Sequence, residues 1–477
     1  MAFPTLEFAY FFLLTATVAW SLRSRRELQK LFLLLASYVF YARWDLRLFL
    51  LLAGISLVDW VIAEGIVRAG TLRLRRTLLG IGIAVNVGLL CVFKLYDFFR
   101  ASVASFAEFL GLTSHLPVLE ILLPAGISFY TFQGIAYIVD TYRGDAVRAH
   151  KVVDFLLFMA FFPKLLAGPI CRSKELIPQI AGEAPETVPE PSRAVALILT
   201  GLFKKMVLAS ALATRLVDDA FVLPGDYSAF ELWIAVFAYT VEIYLDFSGY
   251  TDLARGLALL LGFRIPENFN YPYAATNIGD YWRRWHITFS TWLRDYVYFP
   301  LGGSRGSRLR TYFNLLATFF ICGVWHGSRW TFVIWGVAHG IGLAAYRAWL
   351  DWQRDRGIDT SGATHGPTRI VLAWAATLTF CALVRVPFKA GDLETTAEFM
   401  RGLFRFHAPG QGIDTTVVAI TVLGIAMNFV GRPVFEALVR FHAGIPGYAR
   451  PLAWVAAGVI ILALKAHDIA PYIYFGF

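Results

Sequence analysis

The chain has 477 residues, 57% of them hydrophobic and only 16% charged, with a formal net charge of +9 and a mean hydropathy of +0.58. Soluble domains carry about 45–50% apolar and about 25% charged residues, so this composition excludes an ordinary soluble enzyme. The positive charge is spread over short loops between apolar stretches, which excludes a nucleic-acid binder and fits the rule that cytoplasmic loops collect Lys and Arg.

In chain order, apolar stretches of membrane-spanning length or close to it occupy 5–22, 31–42, 47–64, 77–96, 118–140, 194–222, 229–248, 311–326, 330–350, 370–388, 413–431 and 451–466. The first is followed, not preceded, by Arg23, Arg25, Arg26 and Lys30, and no small-residue cleavage site closes it. A cleaved signal peptide has the opposite order, so the first span is expected to be retained with its N-terminus outside. The stretches 31–42 and 311–326 are short and need flanking residues or tilt to cross. Together the stretches predict an all-α polytopic membrane protein of about twelve crossings, built as a single domain over 1–477.

Threading from an outside N-terminus puts the loops 21–30, 68–76, 141–151, 171–193, 301–310, 351–369 and 432–450 on one side. They hold basic clusters such as Arg73/Arg75/Arg76 and Arg305/Arg308/Arg310, whereas the opposite loops at 43–46, 97–117, 223–228, 327–329 and 389–412 are poorer in them. Both termini then fall outside. Two segments resist assignment as simple spans: 152–170, broken by Pro163, Gly168 and Pro169, and 253–300, rich in polar and aromatic residues. Irregular backbone at membrane depth is tolerated only against protein or a water-filled cavity. Both are expected as re-entrant or interfacial pieces lining an internal funnel.

Three groups of residues carry candidate chemistry. In YWRRWHITFSTWLRDYVYFPLGG (281–303), a continuous helix would place Arg283, His286 and Ser290 on one face. His286 is by itself a packed histidine more often than a catalytic one, and the arginine pair suits the headgroup layer. In GVWHGSRW (323–330), His326 lies between two apolar spans, and Gly323 and Gly327 permit a close backbone approach. A neutral imidazole there can accept a proton, and a histidine merely bonded to a neighbouring helix fits equally well. His339 on the next span reads as packing. In EIYLDFSGYTDLA (242–254), Asp246 and Asp252 are costly within a membrane unless paired. Pairing with Arg283, Arg284 or Arg294 is the favoured reading over orientation of a catalytic histidine.

No Walker loop, HExxH or CxxC occurs, and Cys91, Cys171, Cys322 and Cys381 lack ligand spacing, so neither a metal nor a tightly bound cofactor is expected.

Several of these stretches resemble the membrane-bound O-acyltransferases, in particular the bacterial branch that acetylates alginate and alanylates teichoic acid. They are LPAGISFYTFQGIAYIVDTYRG (123–144), FFPKLLAGPICR (161–172), EIYLDFSGYTDLARGLALLLGFRIPENFNYPY (242–273), the 281–303 segment and GVWHG (323–327). They cover most of 120–350, the expected catalytic core, with 370–477 supplying C-terminal spans. The resemblance implies that His326, within WHG and beside Trp325, is the main catalytic histidine, and that His286 is a second one. It also implies a tunnel admitting a cytoplasmic acyl donor, acetyl-CoA or another acyl thioester, with the acceptor approaching from outside. Asp246, Asp252, Arg283, Arg284 and Trp325 are expected as supporting residues. The C-terminal YIYFGF (472–477) is similar to a terminal motif of that branch whose tyrosine is proposed to carry the acyl group. Tyr474 is the matching residue, and an interfacial aromatic anchor fits it as well.

The function implied is acetyl transfer across a bacterial inner membrane for O-acetylation of an exported polysaccharide such as alginate, completed by a periplasmic acetyltransferase partner. D-alanyl transfer to teichoic acid, a transporter or flippase without covalent chemistry, and lipidation of a secreted protein are the alternatives. The absence of an internal repeat argues against the transporter.

Overall fold

In hydrocarbon an unpaired backbone N–H or C=O has no water to turn to, so long apolar runs satisfy their backbone within one segment, as helices. The computed structural model describes residues 3–112, 116–118, 123–358, 366–406, 410–466 and 472, and the regular structure among them is helical, without strands. Six of these helices are long and apolar enough to cross a membrane: Leu46–Arg68, Leu72–Phe109, Pro191–Val222, Pro367–Lys389, Thr415–Gly444 and Gly447–Leu464. Leu6–Ser21 is a shorter apolar helix.

The chain divides into two compact units, Met1–Leu202 with Tyr250–Glu267, and Phe203–Gly249 with Asn268–Phe477. In the first, Leu46–Arg68, Leu72–Leu90 and Ile127–Arg143 pack together around Ile62, Ile66 and Ile138. A polar pair is sealed into this bundle, where Asn86 Nδ2 donates to Asp59 Oδ1 at 2.7 Å and to the Gly82 carbonyl at 3.0 Å. Nearby, Lys30 and Asp154 form a buried ion pair at 2.7 Å. The segment 152–170 is broken as its prolines predict: Val152–Ala160 ends at Phe161, and a single turn, Phe162–Leu165, follows.

Three expectations about element bounds are corrected. Residues 97–109, read as loop, continue the fourth helix through a π-helical stretch at Cys91–Leu95 into Tyr96–Phe109. In the stretch 118–140 the described residues from 123 onward turn helical at Ile127, after Gly126 at φ 75. Residues 253–260, read as part of an irregular segment, complete the 32-residue helix Ala229–Leu260. In the first and third cases helical hydrogen bonding runs on past the stretch read as a span, whereas in the second the apolar stretch begins before the helix does.

In the second unit, Arg308–His326 and Trp330–Asp355 form a tight antiparallel hairpin. Their axes meet where neither side has a side chain. A Cβ on Gly336 would lie 2.3 Å from the Phe319 carbonyl and 2.8 Å from Gly323 Cα, and one on Gly323 would lie 2.5 Å from the Phe332 carbonyl. Small residues allow this approach, which dispersion and weak backbone contacts then stabilise. The hairpin turn therefore stands at a fixed height, and His326 is its last helical residue on the first arm.

Candidate active site

Residues 281–303 do not form the continuous helix that the spacing suggested. Ile278–Arg284 stops, Trp285 is extended, His286 adopts φ 42 and ψ 55, and a new helix runs Ile287–Leu293. A left-handed non-glycine residue costs about 1–3 kcal/mol and persists only where its surroundings hold it. Here the segment after residue 267 does so. The Ile287 N–H donates to the Asn268 carbonyl at 2.9 Å, and the Asn270 N–H donates to the Arg284 carbonyl at 3.0 Å. Arg283, His286 and Ser290 consequently share no helix face.

The break also fixes the protonation pattern of His286. Asn268 Oδ1 accepts from the Thr288 N–H at 3.2 Å and from Thr288 Oγ1 at 2.9 Å, so that atom is the amide oxygen. His286 Nδ1, 3.1 Å from the same oxygen, must therefore carry its proton and donate it. In the neutral ring the lone pair is left on Nε2. The ring stands edge-on to Phe247 at 4.7 Å between centroids and packs on Phe289 at 5.0 Å.

His326 arrives from the hairpin. Gly327 follows it because a Cβ there would come within 2.3 Å of the Phe332 ring. The imidazole lies edge-on to Trp335 at 4.7 Å and to Phe388 at 5.1 Å, with Trp325 at 4.5 Å and Phe289 at 6.1 Å. His286 and His326, both at least 96% buried, line one cavity together with Ile243, Tyr281, Trp282, Trp285, Trp335, His339 and Arg385. The cavity is narrow, with room for about one water-sized particle, and its walls are mostly aromatic. Trp282 also lines a larger groove that contains Arg283, Ser290, Thr291 and Arg294.

The other sequence candidates lie elsewhere. Asp246 is buried and pairs with Lys205, not with an arginine of the 281–303 segment. Asp252, in the first unit, faces Arg255 at 3.9 Å. Arg283 and Arg284 are held by Asp280 at 3.4 and 2.8 Å, and Arg294 by the adjacent Asp295 at 2.8 Å. The expected Asp–Arg pairing is thus corrected, because each arginine finds a carboxylate within its own turn of chain. Trp325 packs against Phe289 with ring centroids 4.3 Å apart and supports the wall behind both histidines. Tyr474 lies outside the described residues. Its neighbour Tyr472 is buried, with its ring 6.0 Å from Phe247, the same ring that contacts His286. Among the described residues no cluster of His, Cys, Asp or Glu has the makings of a metal site.

Lys205, Glu242, Asn268 and Arg385 do not stand out in the sequence, where His339 reads as packing. An ionisable residue within an apolar span is a functional candidate by default, and that signal was present for Lys205, Arg385 and His339. Asn268 had none, since its role depends on a loop folding back on a helix break.

A model of the MBOAT, membrane-bound O-acyltransferase, family matches residues 143–384, about half the chain and a range that contains both histidines. The probable alginate O-acetylase AlgI of Pseudomonas aeruginosa is 38% identical over 448 residues, covering 91% of this chain and 83% of that protein. The chain belongs to the membrane-bound O-acyltransferase family. The peptidoglycan O-acetyltransferase of Helicobacter pylori is 36% identical over 400 residues, 78% of this chain and 73% of its own. The teichoic acid D-alanyltransferase of Bacillus subtilis is more distant, 29% identical over 252 residues, half of this chain and 63% of its own. This membrane-bound O-acyltransferase is therefore a multi-pass, all-α membrane enzyme that transfers an acyl group to a hydroxyl.

Proposed function

We propose that the enzyme moves an acetyl group from a cytoplasmic acyl thioester, acetyl-CoA being the expected donor, toward an exported polysaccharide. The observation that carries this reading is the convergence of His286 and His326 on one buried cavity. His326 takes the proton of the acceptor hydroxyl as its oxygen attacks the thioester carbonyl. The imidazolium then returns that proton to the departing thiolate. His286, anchored through Nδ1, offers Nε2 to orient the acceptor or to hold its proton. The water-poor aromatic walls favour transfer over hydrolysis. The larger groove rimmed by Arg283 and Arg294 suits the phosphates of the donor, with Trp282 as the wall common to groove and cavity.

The setting proposed is a bacterial inner membrane, with one polytopic domain of about twelve crossings and both termini periplasmic. A periplasmic acetyltransferase would complete delivery to the sugar. The extensive similarity to alginate and peptidoglycan O-acetyltransferases supports acetyl as cargo over D-alanyl. Tyr474 is the proposed transient acceptor, a role supported by the burial of Tyr472 one aromatic ring away from His286.

Mass spectrometry of the C-terminal peptide after incubation with acetyl-CoA tests cargo and relay together. An acetyl increment on Tyr474 is expected. An alanyl increment obtained with a charged carrier protein overturns the acetyl reading, and an unmodified peptide from turning-over enzyme removes the relay. A substitution addresses His286. Asn268→Ala strands a buried N–H donor at a cost of about 1–2 kcal/mol, so turnover is expected to fall roughly five- to thirtyfold. The donor KM should hardly change. Unaltered kcat in folded Asn268→Ala protein would show that the orientation of His286 does not matter to the reaction.

A further inference from the structure

The cavity that holds both histidines also holds a positive charge that no carboxylate among the described residues answers. Arg385, on helix Pro367–Lys389, is buried. Its Nη1 donates to the Cys381 carbonyl at 3.0 Å and its Nη2 to the Tyr281 hydroxyl. The guanidinium carbon sits over the rings of Trp285, Tyr281 and Tyr273 at 4.8, 5.6 and 5.5 Å. Among the described residues no carboxylate stands within ion-pair distance of it. Of the nearby carboxylates of the same unit, Asp246 is engaged by Lys205, Asp218 by Lys389, and Asp280 by Arg283 and Arg284, while the buried Glu242 interacts chiefly with Lys389. Beside Arg385 on the cavity wall, His339 is fully buried with no hydrogen-bond partner for either ring nitrogen among the described residues.

Removing a guanidinium from water without a counter-ion is costly, and aromatic faces and neutral acceptors offset only part of that cost. Arginine stays protonated in such a place and cannot shed the charge as a lysine would. A cation kept in an apolar cavity is compensated when something negative occupies that cavity. The cavity is narrow and its walls are mostly aromatic.

The geometry points to Arg385 as the group that meets the negatively charged oxygen formed on the acyl carbonyl during transfer, an assignment that rests on the acyl-transfer reading above. When the acceptor oxygen bonds to the carbonyl carbon, the hydroxyl proton passes to His326 and the C=O π pair moves onto oxygen. That oxyanion lies against the free N–H edge of Arg385, which keeps its own protons throughout. Collapse re-forms C=O and breaks the C–S bond, and the thiolate takes the proton from His326. Arg385 is then matched to the transition state and left uncompensated in the resting enzyme, the arrangement that lowers a barrier and not merely KM.

The test uses full-length enzyme in lipid nanodiscs with two donors, acetyl-CoA and S-acetyl-N-acetylcysteamine, a thioester that carries no phosphate. Arg385→Gln is expected to lower kcat about 10²–10³-fold with both donors, with donor KM changing less than about twofold. Arg385→Lys should restore part of kcat, since it keeps the charge but loses the planar fork. Loss seen only as a raised KM for acetyl-CoA, with the neutral thioester unaffected, would assign Arg385 to a donor phosphate and overturn the proposal. Wild-type kcat in a folded Arg385→Gln enzyme would overturn it as well. Should Arg385→Gln fail to fold, Tyr281→Phe removes the Nη2 acceptor and keeps the ring. A kcat drop shared by both donors then supports the assignment, and an unchanged kcat defeats it. Wild-type enzyme that moves no acetyl group at all would defeat the underlying acyl-transfer reading instead.

Discussion

His326→Ala is expected to abolish acyl transfer in a protein that still folds. General-base assistance by a positioned imidazole contributes about 10²–10⁴ in rate, and His286 Nε2, the other imidazole lone pair assigned to the acceptor, is held in its own orientation. His286 is committed through Nδ1 to Asn268, and the walls around His326 are Trp325, Trp335, Phe289 and Phe388. His326 terminates its helix, and the glycine contact that sets the hairpin lies a turn earlier at Gly323 and Gly336. Truncating the ring therefore leaves the hairpin intact. The measurement is turnover of a radiolabelled acetyl donor by purified enzyme, with elution volume and melting temperature as controls for folding. A folded variant that retains full turnover would remove His326 from the chemistry and with it the proposed role of the cavity.

Lys205→Met carries the largest expected loss of stability. Lys205 and Asp246 are both nearly fully buried and in direct contact, and Glu242 lies within electrostatic reach of both. Removing one partner of a buried pair leaves an uncompensated charge and costs about 3–5 kcal/mol, whereas replacing both partners by apolar side chains of similar size is often neutral. The single variant should therefore melt far below wild type, and Lys205→Met combined with Asp246→Leu should recover most of the difference. Fluorescence-monitored melting of the detergent-solubilised protein reads both. Equal melting of Lys205→Met and wild type would show that Asp246 is stabilised by other groups.

Both predictions depend on residues of unequal visibility in the sequence. His326 was found because two glycines, two apolar spans and the WHG resemblance meet at one position. Asp246 was seen as costly, yet its partner was misassigned to Arg283, Arg284 or Arg294. Those arginines lie next in the polar sequence, but Asp280 and Asp295 satisfy them locally. Lys205 sits in the middle of an apolar stretch whose helix passes through two π-helical turns, Phe203–Ala209 and Ala213–Val217. The extra residue in such a turn rotates the side chains that follow, so a strict 3.6-residue reading cannot say which way Lys205 points.

The sequence by itself determined that this is a helical membrane protein, where most of its helices lie, and that His286 and His326 deserved attention. Those properties follow from hydropathy over about twenty residues and from local motif chemistry, and both are encoded where they act. Only the tertiary structure decided that the 281–303 segment breaks at a left-handed His286, that Asn268 sets its tautomer, and that Arg385 and His339 share its cavity. Each of these depends on groups distant in the chain meeting with particular orientations. A side chain's charge and polarity are written in the sequence, but the partner that satisfies it, or the absence of one, exists only once the helices have packed.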